Sequence, residues 1–137
     1  MILSSNKIIS GKRKTAIAKL RLVEGSGKLF YNSLPISELN LFHRLALLEP
    51  LRIYEKEIGG QLKYDFVITS KGGGKESQIE AARLALAKAL LEITGSQVLK
   101  KAYINYDRNM IVPDARRKEA AKPNDSAPRA KRQKSYR

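Results

Sequence analysis

From Thr15 to Val23 (TAIAKLRLV) the chain alternates, with Ala16, Ala18, Leu20 and Leu22 set against Ile17, Lys19, Arg21 and Val23. A period of two, with one apolar and one mixed basic face, predicts a half-buried strand. Gly25-Ser26-Gly27 predicts a turn, and Lys28 to Asn32 (KLFYN) a second strand that closes a hairpin with the first. Pro35 and Ser37 open a helical stretch, Ser37 to about Leu48, which Pro50 breaks or restarts. Beyond Gly59-Gly60, Leu62 to Ser70 (LKYDFVITS) is a third strand with Leu62, Tyr64, Phe66 and Ile68 on one face. The strongest element follows three glycines: a helix from about Ser77 to Ile93, with Ile79, Ala82, Leu86, Leu90 and Ile93 in one stripe. Gly95 ends it, Ser96 caps a short helix through Ala102, and Tyr103 to Val112 holds a last short strand.

The predicted order is β-β-α-β-α-α, an α+β fold in two layers, helices on a sheet. At 137 residues there is room for one domain with a modest core. A hydrophobic fraction of 42% is enough for that core.

Charge changes this picture. The net charge is +14, and such self-repulsion is usually tolerated because a polyanion neutralises it, nucleic acid first and an anionic membrane surface second. From Met1 to Asp114 there are 18 basic and 11 acidic residues, and from Ala115 to Arg137 there are 9 and 2. The last segment has no Val, Ile, Leu, Phe or Met, so it cannot bury enough apolar surface to offset its ordering entropy. The chain therefore divides near Pro113 into a globular part (1–113) and an extended basic tail (114–137). Lys122-Pro123 and Ala127-Pro128 favour an extended path through the tail.

Several chemistries are excluded or weakly supported. Without cysteine there is no disulfide, thiol nucleophile or zinc-thiolate site. No apolar run approaches the roughly 20 residues that span a bilayer, and the first residues, MILSSNKIIS, do not read as a secretory signal. A soluble intracellular protein is expected. His43, amid Leu41, Phe42 and Leu45, reads as a packed or surface histidine, with no carboxylate at supportive spacing. Asp107 beside Arg108, and Asp114 beside Arg116 and Arg117, read as structural pairs. No paired carboxylates, nucleophile with base, or metal cluster stands out, so an enzyme has little support.

The basic segments remain. KGGGKESQ (Lys71 to Gln78) places Gly72, Gly73 and Gly74 between strand and helix, flanked by Lys71 and Lys75. Two readings stay open: bare amides at a helix N-terminus approaching a phosphate, or a connector that needs glycine for steric reasons. The spacing is not that of a nucleotide-binding P-loop. Gly11-Lys12-Arg13-Lys14 stands where the first predicted strand begins, and with Lys19 and Arg21 it suggests an RNA-facing edge. In the tail, Arg116-Arg117-Lys118 and RAKRQKSYR (Arg129, Lys131, Arg132, Lys134, Tyr136, Arg137) fit a solvated appendage, a localisation signal or an RNA-threading extension.

Gly11 to Ala16 (GKRKTA), Lys71 to Gly74, Ser77-Gln78, Ala81, Ala85, Ala87 to Leu90 and the ending Gln133 to Arg137 (QKSYR) together resemble the small-subunit ribosomal protein S-nine family. The motifs run in order from about Lys7 to Arg137. KSYR and Asn105-Tyr106-Asp107-Arg108 resemble its archaeal and eukaryotic branch, and the lack of long extensions the archaeal one.

The resemblance implies a ribosomal S-five domain-two-like fold with a left-handed β-α-β crossover, against the usual right-handed preference. It implies a non-catalytic, cytoplasmic protein of the small-subunit head, bound to rRNA and to other head proteins, with no membrane and no free homo-oligomer. No cofactor is implied; structural Mg²⁺ would belong to the rRNA. The tail of the family threads rRNA and reaches the anticodon stem-loop of P-site tRNA, a contact that falls by position on Arg137, with Lys134 and Tyr136 nearby. Two departures stand out: Pro123 to Pro128 replaces a glycine-rich run, and Arg132 replaces an aromatic residue before QKSYR. The rivals are an RNA-binding regulator or chaperone outside the ribosome and a phosphate-binding enzyme built on Gly72 to Gly74.

Overall fold

In a computed structural model that describes residues 7–131, 133 and 134, one mixed sheet carries three helices on one face. Strands β1 (Ile8–Arg13), β2 (Ala16–Glu24), β3 (Leu29–Tyr31), β4 (Leu34–Pro35) and β5 (Tyr64–Lys71) lie in the order β1-β2-β5-β3-β4. Helix α1 (Leu41–Glu57) connects β4 to β5, and α2 (Lys75–Thr94) and α3 (Gln97–Tyr106) follow. All strand pairs are antiparallel except β3 with β5. The expected α+β class holds.

The alternation read for β2 is correct in phase: Ala16, Ala18, Leu20 and Leu22 are buried, and Ile17, Lys19, Arg21 and Val23 are exposed. Its predicted partner is wrong. The second predicted strand, β3, pairs with β5 and β4, while both edges of β2 are taken by β1 and β5. Asp65 explains the detour. Its Oδ1 accepts the backbone N–H groups of Ser26 and Lys28, each at 2.8 Å, and the Gly25 N–H reaches the Lys63 carbonyl at 3.0 Å. The loop is thereby drawn over the start of β5, and β3 emerges on its far side. These amides, Lys28 first, hold the Asp65 carboxyl below the usual carboxylate range against a smaller opposing effect of burial.

The glycine-lysine motif ends a strand rather than beginning one. β1 runs through Gly11-Lys12-Arg13, and Lys14-Thr15 form a two-residue turn with Lys14 at φ 52. A second two-residue turn, Asn32-Ser33, has both residues at positive φ and joins β3 to β4.

Helix α2 is the centre of the core. Residues Ala81, Ala82, Ala85, Leu86, Ala89 and Leu90 are fully buried, and the helix meets β1, β2 and β5 on one side and α1 on the other. A helix covered on both sides is apolar nearly all round. Gly95, in the left-handed conformation at φ 62, ends it as expected.

Three helical readings change. Asn40, not Ser37, caps α1 by accepting the Phe42 N–H, and residues 36–38 form a short 3-10 turn. The helix runs through Pro50 to Glu57, with Pro50, Leu51 and Tyr54 buried in the core side. α3 extends to Tyr106, and the predicted last strand is instead helix followed by a 3-10 turn at Arg108–Met110. Leu99 and Tyr103, one helical turn apart, are fully buried, and the Tyr103 hydroxyl donates to the Pro50 carbonyl at 2.8 Å. This packing, with Asp107 capping the 3-10 turn through the Asn109 N–H, overrides the strand preference of Tyr103, Ile104 and Val112.

The tail is not uniformly extended. Asp125 N–H bonds to the Lys122 carbonyl across Pro123-Asn124, with Asn124 at φ 66, as in a type II turn with proline first and a left-handed residue second. A similar closure joins Ala130 to Ala127, and Arg129 Nε pairs with Glu119 at 3.1 Å. The two prolines that suggested extension serve as turn residues instead.

Candidate nucleic-acid interface

The helices cover one sheet face, and the other is open. Its register sets Lys12, Ile17 and Lys71 in one row, Ser10, Lys19 and Thr69 in the next, and Ile8, Arg21 and Val67 in a third. Ile17, Lys19, Arg21, Thr69, Lys71 and Gly72 line a shallow groove on this face. Lys19, Arg21 and Lys71 have no carboxylate partner among the described residues, so their charge is directed outward. Ile8 and Ile17 are each about half exposed between them, giving an apolar floor with a cationic rim. A phosphate backbone can be neutralised at the rim while sugars or bases rest on the floor.

The glycine loop abuts this groove at the β1–β2 turn. Gly72 and Gly73 have φ 79 and 64. A Cβ on Gly72 would stand 2.7 Å from the Thr15 carbonyl oxygen, and one on Gly73 3.1 Å from the Ala16 nitrogen. Steric need therefore accounts for two of the three glycines. Gly74 differs: its φ is −94, it caps α2, and a Cβ there would meet nothing within 4 Å. Steric need does not account for this glycine. Lys75, the exposed first residue of α2, stands beyond it, and Glu76 in the same turn places a carboxylate at the helix N-terminus.

A polar network holds the loop, and sequence reading missed most of it. Ser70, buried at the end of β5, shares a 2.6 Å hydrogen bond with the Tyr31 hydroxyl, and its backbone N–H donates to Asn32 Oδ1 at 2.9 Å. Its hydroxyl lies 3.3 Å from Gln78 Oε1, and Gln78 Nε2 donates to the Gly72 carbonyl at 3.0 Å. Gln78 was legible only as part of a resemblance; its task is to brace the glycines. His43 is likewise partnered across the fold, its Nε2 2.8 Å from Glu76, a carboxylate 33 positions away. Such a pairing escapes any search for nearby sequence spacing.

The other predicted residues separate into two groups. Lys12 and Lys14 are exposed on β1 and its turn. Arg13 is not free: its side chain is only 18% exposed, Nε lies 2.6 Å from Glu80, and Nη1 binds Asp114. Asp114 also takes Arg116, through Nη2 at 2.6 Å and Nε at 2.7 Å, and its Oδ1 accepts the Arg116 backbone N–H at 2.8 Å. These donors, the Arg116 side chain foremost, hold the Asp114 carboxyl well below the usual range. The Arg116 guanidinium is pushed up in return by Asp114. Asp107 pairs with Arg83 at 2.8 Å rather than with neighbouring Arg108, and Arg83 also reaches Glu49 at 2.6 Å. Both aspartates are structural, as expected.

Lys14, Thr15, Arg117 and Lys118 line a second groove where the tail leaves the domain. Arg129 pairs with Glu119, while Lys131 and Lys134 are exposed. Arg132, Tyr136 and Arg137 lie outside the described residues. Among the described residues no group of His, Asp or Glu could hold a metal ion, and no helix is long and apolar enough to cross a membrane.

An open sheet face lined with cations, beside a braced glycine loop and a basic tail, defines a basic α+β protein with a candidate polyanion-binding face. Residues 11–137 match the family model of ribosomal protein S9/S16, and the chain belongs to that family. It is 47% identical over 130 residues to the small ribosomal subunit protein uS9 of Methanococcus vannielii, covering 93% of this chain and 95% of that protein. The uS9 of Methanococcus maripaludis strain C7 is 45% identical over the same coverage. The family is one of structural ribosomal proteins, not enzymes.

Proposed function

We propose that this chain is a structural component of the small-subunit head, binding rRNA through the open face of β1, β2 and β5 and through its tail. The observation that carries the reading is the outward-facing set Lys19, Arg21 and Lys71, with no carboxylate partner among the described residues, in a member of this family. Lys12, Lys14, Gly74 and Lys75 extend the same contact toward the glycine loop, and Arg117, Lys118, Arg129 and Lys131 along the tail. The end of the tail, Lys134, Tyr136 and Arg137, meets the anticodon stem-loop of P-site tRNA, with Arg132 on a nearby phosphate. The fold is of the S-five domain-two type, its β3–α1–β5 crossover left-handed. The protein works in the cytoplasm, on the ribosome, without a cofactor of its own.

Sedimentation of cell lysate tests the placement: the protein should travel with small subunits, and its absence from them would overturn it. Affinity for small-subunit rRNA should fall steeply with salt, on the order of 10³- to 10⁵-fold between 50 and 200 mM for about 6–10 phosphate contacts. Deleting Lys134 to Arg137 should leave assembly nearly intact but weaken P-site tRNA binding in reconstituted subunits. Unchanged tRNA affinity would remove the tip from that site.

A further inference from the structure

We propose that Asp114 is a clasp that fixes the root of the tail beside the β1–β2 turn, so that Lys14, Arg117 and Lys118 form one composite phosphodiester-binding site, with Arg13 acting as a positioning residue rather than an RNA contact. The inference deepens the rRNA-binding reading and rests on it for the identity of the ligand, though not for the clasp itself.

The geometry begins with Met110, which is fully buried and anchors the chain just before the tail. Four residues on, Asp114 is 11% exposed and grips both ways. One oxygen binds Arg13, at the end of β1, and Arg116, in the tail, while the other takes the Arg116 backbone N–H. Arg13 is in turn held by Glu80 of α2. Two carboxylates therefore neutralise an arginine that is mostly shielded from solvent. A guanidinium in that position has little left for a phosphate without breaking its own pairs.

What the clasp brings together is different in character. Lys14 stands at the turn tip in a left-handed conformation, a backbone state that a non-glycine residue keeps only where the surroundings impose it. Arg117 donates from Nη1 to the Asp114 and Arg116 carbonyls at 3.3 and 2.9 Å, which orients its guanidinium along the tail root. With Lys118 and Thr15 these residues line one groove. Thr15 also borders the groove on the open sheet face. The turn thus connects the two grooves, and the carboxylate that lines the second, Asp114, is committed to Arg13 and Arg116, so a strand of RNA leaving the sheet face passes to the tail beside a neutralised acid.

The test exploits a sign. Removing a carboxylate from a strongly basic protein should by charge alone tighten RNA binding. Loss of the clasp should weaken it, because the composite site is no longer preorganised. Asp114→Asn and Glu55→Gln have the same net charge, and Glu55 is an exposed residue of α1 without an ion-pair partner among the described residues. With small-subunit rRNA as the probe, Asp114→Asn should bind on the order of fivefold to tenfold more weakly than Glu55→Gln, as expected for lost preorganisation. Binding as tight as that of Glu55→Gln would overturn the composite site.

A second arm reads the clasp without RNA. The chain has no cysteine, so spin labels at Ser10→Cys and Ala120→Cys report one distance in the full-length protein. The distribution should be narrow in the parent and broad in Asp114→Asn. Arg116→Gln, which alters an exposed side chain and leaves the core intact, should broaden it too. An unchanged distribution in both variants would refute the clasp. Failure of the parent to bind rRNA, with the distances behaving as described, would instead remove the ligand reading and leave the clasp standing.

Discussion

Gly11 packs so closely on Ala81 that a Cβ at residue 11 would lie 2.1 Å from the Ala81 carbonyl oxygen and 2.7 Å from the Ala85 nitrogen. Both are backbone atoms of α2, so no side-chain rotation relieves the clash. Gly11→Ala should destabilise the protein by about 1–3 kcal/mol or more, since strand and helix must separate. Urea denaturation of the full chain measures this; an unchanged midpoint would show that β1 can shift freely over α2.

The three consecutive glycines should differ in their response to alanine. Gly73→Ala places a side chain at φ 64 against Ala16, at a cost of about 1–2 kcal/mol for the left-handed conformation plus the tight contact. Gly74→Ala meets open space at an ordinary φ and should change stability by within about 0.5 kcal/mol. If the Gly74 amide approaches a phosphate, the same substitution weakens rRNA binding in a fully folded protein. Intact affinity would leave the loop with a packing role alone.

Tyr103 is a buried phenol whose hydroxyl is committed to the Pro50 carbonyl. Tyr103→Phe should cost about 1–3 kcal/mol at neutral pH, because a buried acceptor loses its donor. Burial, with a smaller effect of Tyr54, pushes the phenol well above its ordinary value. The sign follows from proton binding: above about pH 10 the unfolded chain releases this proton and the folded one keeps it, so parent stability falls as pH rises. Tyr103→Phe lacks that loss, and the gap between the two should narrow in alkaline urea titrations. A constant gap would place the hydroxyl in contact with solvent.

Asp114 gives the opposite limb. Its carboxyl is depressed in the folded state, chiefly by Arg116, so its contribution is fully present at neutral pH. It is lost progressively as pH falls below about 4, the ordinary carboxylate value. Asp114→Asn should therefore show a shallower acid limb than the parent in pH-dependent thermal melts. Parallel acid limbs would mean that the pair with Arg13 and Arg116 is not maintained in solution.

Local pattern carried much of this fold. The alternation of β2 told which side chains enter the core, because a half-covered sheet imposes a period of two. The stripe of α2, the Gly95 stop and the Ser96 cap were legible for the same reason: each is decided within a few residues. The hairpin between β2 and β3 was misread because Asp65, some 40 positions away, redirects the loop. Strand β1 passed unnoticed since Gly11, its packing residue, looks like a turn signal. The tail prolines suggested extension, but proline at the first central position of a turn has the same φ.

At the candidate interface, residue type alone marked the cations, and arrangement divided them. Lys19, Arg21 and Lys71 look no different in sequence from Arg13 and Arg116. Only the folded chain brings Glu80 and Asp114 to Arg13 and leaves Lys19, Arg21 and Lys71 without a carboxylate partner among the described residues. Ser70, Tyr31 and Asn32 had no signal, because a polar network spread over three segments has no local spacing.

By itself, then, the sequence determined the α+β class, the phase of the buried faces, a basic tail too poor in apolar residues for a core of its own, and membership of a ribosomal family through motifs in order. Tertiary structure decided strand order, the reasons for Gly11, Gly72 and Gly73, and which cations face outward. The division is physical. Propensity and periodicity act over a few bonds, whereas charge pairing and close packing depend on groups that only folding brings within a few ångströms of one another.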